Sequence, residues 1–465
     1  MNQFAPVTPV ILQQLEAIVG AGNVSATEAD RRLHAQDMSH FAPRLAEVVV
    51  WPETAVQISA VLSLANEQHI PVTPWGAGSS LEGHPIPWFG GISLSLERMT
   101  AVLTLHTDDF QVTVQPGIGY KDLNARLARY GLFFPPDPGA NATIGGMLAN
   151  NAAGIRTVKY GATKDNVLRM KVVLADGRLI QVGSRSIKQS AGYDLLHLFV
   201  GSEGTLGVIT EATLKLTPIP DLMSAVMASF PTVGSAINAV VAVRGSGLDL
   251  AALEFIDAQT AVLLARENGL DLSAQPTLLM EFHAAHAETI QLGLMTVQEI
   301  CAEFNATRIH TTADPTERKK LWSARHHTYE TWVRTRPDVQ WLITDVAVPI
   351  SVYPQLVAHA EEAMAAQELV GFMIGHAGDG NMHVTIGFRD HQEEVQAHKV
   401  NEAIVLKAIA LGGTCTGEHG IGAGKVSYLR QEYGDAVDIM HLLKRTLDPN
   451  GILNPGKIFE TAVAP

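Results

Sequence analysis

Apolar positions along the chain fall into short runs whose spacing switches between two and about 3.6 residues, the alternation of a mixed α and β fold. Val48-Val49-Val50-Trp51-Pro52 reads as a strand, and a helix follows with Ile58, Val61, Leu62 and Ala65 on one face. Ile70-Pro71-Val72-Thr73 is a second strand and Gly91-Ile92-Ser93-Leu94-Ser95-Leu96 a third. They are joined by Trp75-Gly76-Ala77-Gly78-Ser79-Ser80-Leu81-Glu82-Gly83. A glycine loop leading from strand to strand is not the Rossmann fingerprint, which must open a helix. Its backbone N–H groups and two hydroxyls can still cradle a pyrophosphate. Next come a strand with Val112 and Val114, a helix presenting Leu123, Leu127 and Tyr130, and a 171–180 hairpin turning at Asp176-Gly177. Pro218-Ile219-Pro220-Asp221 interrupts the pattern and places a domain boundary near residue 220. Strand, helix and strand are predicted beyond it, over 223–229, 233–244 and 253–256.

Composition narrows the class. The 465 residues are 46% apolar and 17% charged, which excludes a disordered or fibrous chain and supplies core for two or three compact units. With 33 basic and 47 acidic side chains the formal charge is −14, a poor match for nucleic acid. Cys301 and Cys415 make no disulfide framework, so a reducing cytoplasm is the expected setting. Met1-Asn2-Gln3-Phe4-Ala5-Pro6 lacks a signal-peptide pattern, and no stretch has 18 uninterrupted apolar residues, so the chain is expected to be soluble.

Candidate chemistry concentrates in Gly375-His376-Ala377-Gly378-Asp379-Gly380-Asn381-Met382-His383-Val384. If Asp379-Gly380 is a two-residue hairpin turn, His376 and His383 pair across the ribbon with Cβ atoms about 4.5–5.5 Å apart. Two imidazoles so placed suit one divalent cation, although a plain hairpin with half-exposed histidines gives the same pattern. Gly417-Glu418-His419-Gly420 offers a third ligand. Side chains adjacent on extended backbone point apart, so Glu418 reads as the ligand and His419 as a base facing substrate. A capped turn with an exposed ion pair is the plainer alternative. Two histidines and a carboxylate leave coordination positions open, a catalytic arrangement. Cys415 reads as a buried small apolar residue. A helix is predicted from Asp314-Pro315-Thr316-Glu317, with Trp322, Arg325, Tyr329 and Trp332 on one face. Arg325 there needs an anion, either Asp345 of the same chain or a substrate carboxylate gripped by both arms.

The segments Pro74-Trp75-Gly76-Ala77-Gly78-Ser79-Ser80, Asp137-Pro138-Gly139, Gly145-Gly146-Met147-Leu148-Ala149-Asn150-Asn151, Gly201-Ser202-Glu203-Gly204-Thr205-Leu206-Gly207-Val208-Ile209-Thr210, Gly375 to Asn381, Thr416-Gly417-Glu418-His419-Gly420 and Asn454-Pro455-Gly456-Lys457 occur in that order. The series resembles the FAD-linked oxidases of the vanillyl-alcohol oxidase superfamily, and within it the branch of D-lactate dehydrogenase (cytochrome) and the glycolate oxidase FAD subunit. The resemblance spans about residues 40–460 and implies an α+β fold. A two-subdomain FAD-binding domain would occupy 1–220 (core 40–218), a substrate or cap domain with an antiparallel sheet and flanking helices 221–415, and a segment returning to the FAD domain 416–465. Gly76, Ala77, Gly78, Ser79, Ser80 and Leu81 would hold the pyrophosphate. Pro138, Gly139, Thr143, Gly146, Asn150 and Gly154 would contact flavin and ribityl chain, and Glu203, Gly207, Ile209 and Asn454 would complete the pocket. His376, His383 and Glu418 would bind a divalent metal, zinc first, with manganese and iron as alternatives, and His419 would be the base. Positions 77–79 carry no histidine, so FAD is expected to be noncovalent; His84 lies farther on, in Gly83-His84-Pro85.

The resemblance also implies a reaction. A D-2-hydroxy acid, D-lactate or an alkyl-chain homologue, would place its carboxylate on Arg325 beside Tyr329 and lose hydride to the flavin, giving the 2-keto acid. Glycolate and D-2-hydroxyglutarate are the alternatives. Ile343 and Tyr329 stand where relatives acting on D-2-hydroxyglutarate carry a lysine and a threonine, which makes this pocket more apolar. Electrons would pass to a quinone, a cytochrome or an electron-transfer flavoprotein. Peripheral contact with the inner membrane face and a homodimer stay open. Two different classes compete: a flavin-free metallohydrolase on the same ligands, and a noncatalytic FAD-binding subunit, which would be expected to lack His419 or Arg325.

Overall fold

The computed structural model describes residues 4–459. Residues 1–3 and 460–465, which fall in the first and last expected units, lie outside that range. The first sheet has four strands in the order Val24–Ser25, Val48–Val50, Ile92–Ser95, Val72–Trp75. The last two run parallel, so the glycine loop does join strand to strand, with no helix between them. Helix Ala55–Gln68 covers this sheet and buries Ile58, Val61, Leu62 and Ala65, the predicted face. Thr54 caps it in a reciprocal box with Gln57. The C-terminal segment returns here: Val72 donates to the Ile452 carbonyl and Asn454 to that of Val72, both at 2.8 Å.

The second sheet is antiparallel, in the order Val102–His106, Gln111–Val114, Val208–Lys215, Val167–Val173, Leu179–Gly183. Its hairpin turns at Gly177, whose φ of 84° is glycine territory. Helix Tyr120–Leu127 buries Leu123 and Leu127 as expected. Tyr130 departs from the expectation: the chain tightens into a 3₁₀ turn over Ala128–Tyr130, which rotates that ring off the buried face and leaves it 45% exposed.

A seven-stranded antiparallel sheet follows, in the order Arg308–Thr312, Leu222–Ser229, Thr277–Ala284, Leu250–Ile256, Gly371–Gly375, Asn381–Phe388, Gln340–Ala347. Leu222–Ser229, helix Val233–Gly245 and Leu250–Ile256 realise the predicted strand, helix and strand. Helices cover one face around Phe230, Val240, Tyr353 and Ile404, while Trp322, Trp332 and Phe372 pack on the other. With both faces covered, the strands Leu250–Ile256 and Asn381–Phe388 are buried at every position; the first is apolar on both faces apart from Glu254, whereas the second alternates and buries His383 and Thr385 on the face that lines the cleft described below.

Candidate functional site

One cleft of about 310 Å³ runs from the glycine loop to the middle of the seven-stranded sheet, in the size range of small-molecule sites. Its lining includes every residue expected to hold cofactor, metal or substrate, from Gly76–Leu81 at one end to His376, His383, Glu418, His419, Arg325 and Tyr329 at the other. The glycines have geometric reasons. A Cβ on Gly76 would stand 2.5 Å from Thr143 Oγ1, and Gly78 has a φ of 63° with its Cβ direction blocked by the Trp75 ring at 2.5 Å. Thr143 caps helix Ile144–Asn150 by accepting the Gly146 N–H, and Asn150 ends that helix at the cleft. Asn150 donates Nδ2–H to the Glu418 carbonyl (2.8 Å), while its Oδ1 is buried without a partner.

Two expected pocket residues spend their polar atoms inside the protein. The Glu203 carboxylate accepts the N–H groups of Ile421 (2.7 Å) and Gly422 (2.8 Å) and faces His84 Nε2 at 3.1 Å. Asn454 donates to the carbonyls of Glu203 (2.8 Å) and His84 (3.1 Å). Both line the cleft, but they fasten the C-terminal segment to its wall.

At the other end, His376 Nε2 and His383 Nε2 each lie 3.2 Å from Glu418 Oε1. The histidines converge as expected, by a different route. A 3₁₀ turn over Ala377–Asp379 replaces the two-residue turn, so His383 pairs with Ile374 and not with His376. A slip of two residues preserves the face, and the rings meet diagonally with centroids 5.3 Å apart. Glu254, in the neighbouring strand, accepts from His376 Nδ1 at 2.9 Å, which leaves the Nε2 lone pair for a ligand bond. Asp345 is the cross-strand partner of His383, with Oδ1 3.6 Å from Nδ1. Burial opposes charge on His376, but Glu254 and Glu418 outweigh it and hold its pKa well above the usual value. The space between those carboxylates favours a positive charge.

The loop bearing Glu418 is not extended, so its two functional side chains do not point apart. Asp345, fully buried, accepts the N–H groups of Glu418 and His419 (both 2.9 Å) and the Thr416 hydroxyl (2.9 Å), which curls the loop around one carboxylate. Lys425 Nζ sits 3.6 Å from Asp345 and 3.3 Å from Glu82 in the same buried pocket. His419 stacks on His383 at 5.0 Å, with Nε2 3.9 Å from Glu418. Burial pushes its imidazole down to about 4 against the attraction of Asp345, with His383 adding to the decrease. The ring is neutral near pH 7 and can accept a proton. Cys415 is fully buried in the apolar core, as expected.

Arg325 is 5% exposed at the end of helix Pro315–His326. Its internal partner is Glu254, 2.6 Å from Nη2, and not Asp345, whose Oδ2 is taken by the 416–419 loop and whose Oδ1 accepts from Asn381 Nδ2 (2.7 Å). The helix also stops sooner than predicted. His327 leaves helical geometry and a separate helix, Thr328–Thr335, carries Tyr329 and Trp332. The bend turns Arg325 and Tyr329 into the cleft, with Ile343 and Ile374 opposite as apolar lining.

Glu254, which serves both His376 and Arg325, escaped the sequence reading. Its signal was a lone acid inside Leu250-Ala251-Ala252-Leu253-Glu254-Phe255-Ile256, because a carboxylate in a fully buried strand must be paired. Lys425 and Glu82 escaped as well, since neither stands out in a glycine-rich loop.

The residues fit both groups implied by the resemblance. Two imidazole nitrogens and a carboxylate oxygen are a donor set for a first-row divalent cation. The cradle that a Cβ at Gly76 would fill, and the unpaired Oδ1 of Asn150, suit an FAD lying along the cleft. Residues 219–458 match the family model described as FAD linked oxidases, C-terminal domain, and residues 46–183 match the FAD binding domain. The chain is 38% identical over 456 residues to the probable D-lactate dehydrogenase, mitochondrial, of Danio rerio, covering 97% of this chain and 92% of that protein. It is 38% identical over 462 residues to the D-lactate dehydrogenase (cytochrome), mitochondrial, of Arabidopsis thaliana, covering 98% and 81%. A 4-ethylphenol oxidase from Gulosibacter chungangensis superposes with a TM-score of 0.79 over 96% of both chains at 16% identity, a likeness of fold alone.

Proposed function

The chain belongs to the FAD-linked oxidases, and on that premise we propose that it oxidises a D-2-hydroxy acid, D-lactate or an alkyl-chain homologue, to the 2-keto acid. The observation that carries this reading is the meeting of His376, His383, Glu418, His419 and Arg325 at one end of the cleft that the glycine loop lines at the other. Bound there, FAD supplies a two-electron acceptor, and a divalent cation, zinc first, supplies a Lewis acid for the substrate oxygens. Gly76–Leu81 and helix Ile144–Asn150 would hold the first; His376, His383 and Glu418 would hold the second.

The chain's own side chains do the rest. Arg325 binds the substrate carboxylate with its cleft-facing arm, while Glu254 fixes the guanidinium from behind. His419, kept neutral by burial, takes the hydroxyl proton at an imidazole nitrogen, and Asp345 steadies the resulting charge through the loop it organises. Tyr329, Ile343 and Ile374 exclude water and favour a short alkyl substituent over a second carboxylate. The names of the two relatives support D-lactate, and one of them supports a cytochrome as electron acceptor.

Anaerobic bleaching of the flavin by a panel of D- and L-2-hydroxy acids, glycolate and D-2-hydroxyglutarate included, before and after chelation, tests the reading. D-Lactate should bleach it and chelation should abolish the response. His419→Ala should retain FAD while reduction slows by about 10²–10⁴. Normal reduction by that variant would remove His419 from the mechanism, and a colourless protein hydrolysing a substrate would replace the whole reading.

A further inference from the structure

A second cavity, of about 450 Å³, opens beside the cleft, and Asp137 and His326 line both. His326 donates Nδ1–H to the Trp322 carbonyl (2.8 Å) and turns Nε2 toward Asp137 (3.6 Å), so this pair stands at the partition. Arg325 is the next residue in the same helix. The cavity's two acids are already matched: Arg156 bonds Asp137 (2.9 Å) and Glu281 (3.1 Å), and Arg318 lies 3.7 Å from Glu281. Lys121 and Lys319 also line it, and neither has a carboxylate partner among the described residues. Lys121 donates instead to the Gly139 carbonyl (3.1 Å), and Gly139 lines the cleft, which sets this charge on the rim between the two spaces. The surplus is positive in a chain whose formal charge is −14. Most of such a surface repels a small anion, whereas a basic concavity focuses the field and raises the local anion concentration.

We propose that this cavity is an anion-collecting vestibule that gathers 2-hydroxycarboxylates beside the partition and feeds them to Arg325. The inference rests on the 2-hydroxy-acid reading above, because the carboxylate is what the lysines attract. It makes Lys121 and Lys319 determinants of substrate capture and gives them no part in the chemical step.

The test is stopped-flow flavin reduction of the holoenzyme by D-lactate at limiting concentration, in salt from about 0.01 M, where charges act over roughly 30 Å, to about 1 M, where they act over roughly 3 Å. The variants are Lys121→Glu with Lys319→Glu, and as a control Lys188→Glu with Lys215→Glu, the same charge change at exposed lysines that line neither cavity. At low salt the vestibule variant should lose about tenfold or more in the bimolecular rate constant, keep its limiting rate at saturation, and converge with wild type at high salt. The control should track wild type. Equal loss in the control, or no loss in the vestibule variant, overturns the proposal while leaving the reaction intact. If no 2-hydroxy acid reduces the wild-type flavin, the reaction reading fails and the vestibule falls with it.

Discussion

Glu254 shows how much a single side chain can carry in this fold. It lies in a strand where every residue is buried, and its carboxylate meets His376 Nδ1 with both oxygens (2.9 and 3.0 Å) and Arg325 Nη2 with Oε2 (2.6 Å). One carboxylate therefore orients a candidate metal ligand and backs the candidate carboxylate clamp. Glu254→Gln keeps the volume but removes the charge, and its amide is free to present N–H where His376 needs an acceptor. Loss of a group that orients a ligating histidine usually costs about 10–100-fold in metal affinity. We expect a loss of that size in a chelator competition on the FAD-loaded protein, with the flavin absorbance unchanged. Unaltered metal affinity would show that Glu254 does not act through His376.

Among elements, the glycine loop between Val72–Trp75 and Ile92–Ser95 is the most constrained by shape. Gly78 combines left-handed backbone with the Trp75 ring 2.5 Å from where a Cβ would stand, and Trp75 is itself buried. Ala at this position must leave αL, at about 1–2 kcal/mol, or displace the indole. Gly78→Ala should purify with less FAD and bind added FAD at least about tenfold more weakly, which is about 1.4 kcal/mol, by fluorescence titration. Equal FAD content would mean that the loop does not shape the cofactor site. The demand for glycine here was legible in the sequence, as were the strand-to-strand placement of the loop and the strand, helix and strand after residue 220. Other features needed coordinates. The face shared by His376 and His383 followed from β periodicity, but the turn between them did not, since Asp379-Gly380 serves a 3₁₀ turn as readily as a two-residue one. The break at His327 hides inside a sequence whose 3.6-residue spacing continues to Trp332, because nothing local marks the stop. Asp345 was visible only as a candidate for Arg325, because the loop groups it organises, the Thr416 hydroxyl and the N–H groups of Glu418 and His419, lie more than 70 residues away.

On the scale of the whole molecule, Arg156 joins the wall of the cofactor cleft to the seven-stranded sheet by bonding Asp137 on one side and Glu281, 1% exposed, on the other. Burial alone would raise the Glu281 pKa. The His283 hydrogen bond and the Arg156 charge overcome that and bring it down to about 2. A carboxylate whose folded pKa is depressed contributes stability above its unfolded pKa of about 4.3 and loses it as the pH falls toward the folded value. The window for this clasp is thus about pH 4.3 down to 2. Arg156→Met removes the cation from between two buried carboxylates, a change that costs about 3–5 kcal/mol near pH 7. In the variant Glu281 keeps only His283 and the more distant Arg318 while still buried, so its pKa moves back up and protonation relieves the under-compensated charge. Thermal unfolding of both proteins across pH should show a wide gap at neutrality that narrows as the pH falls through the window, with wild type descending toward the variant. A gap that stays constant down to pH 3 would mean that Arg156 supports the interface by packing its aliphatic stem and not by charge.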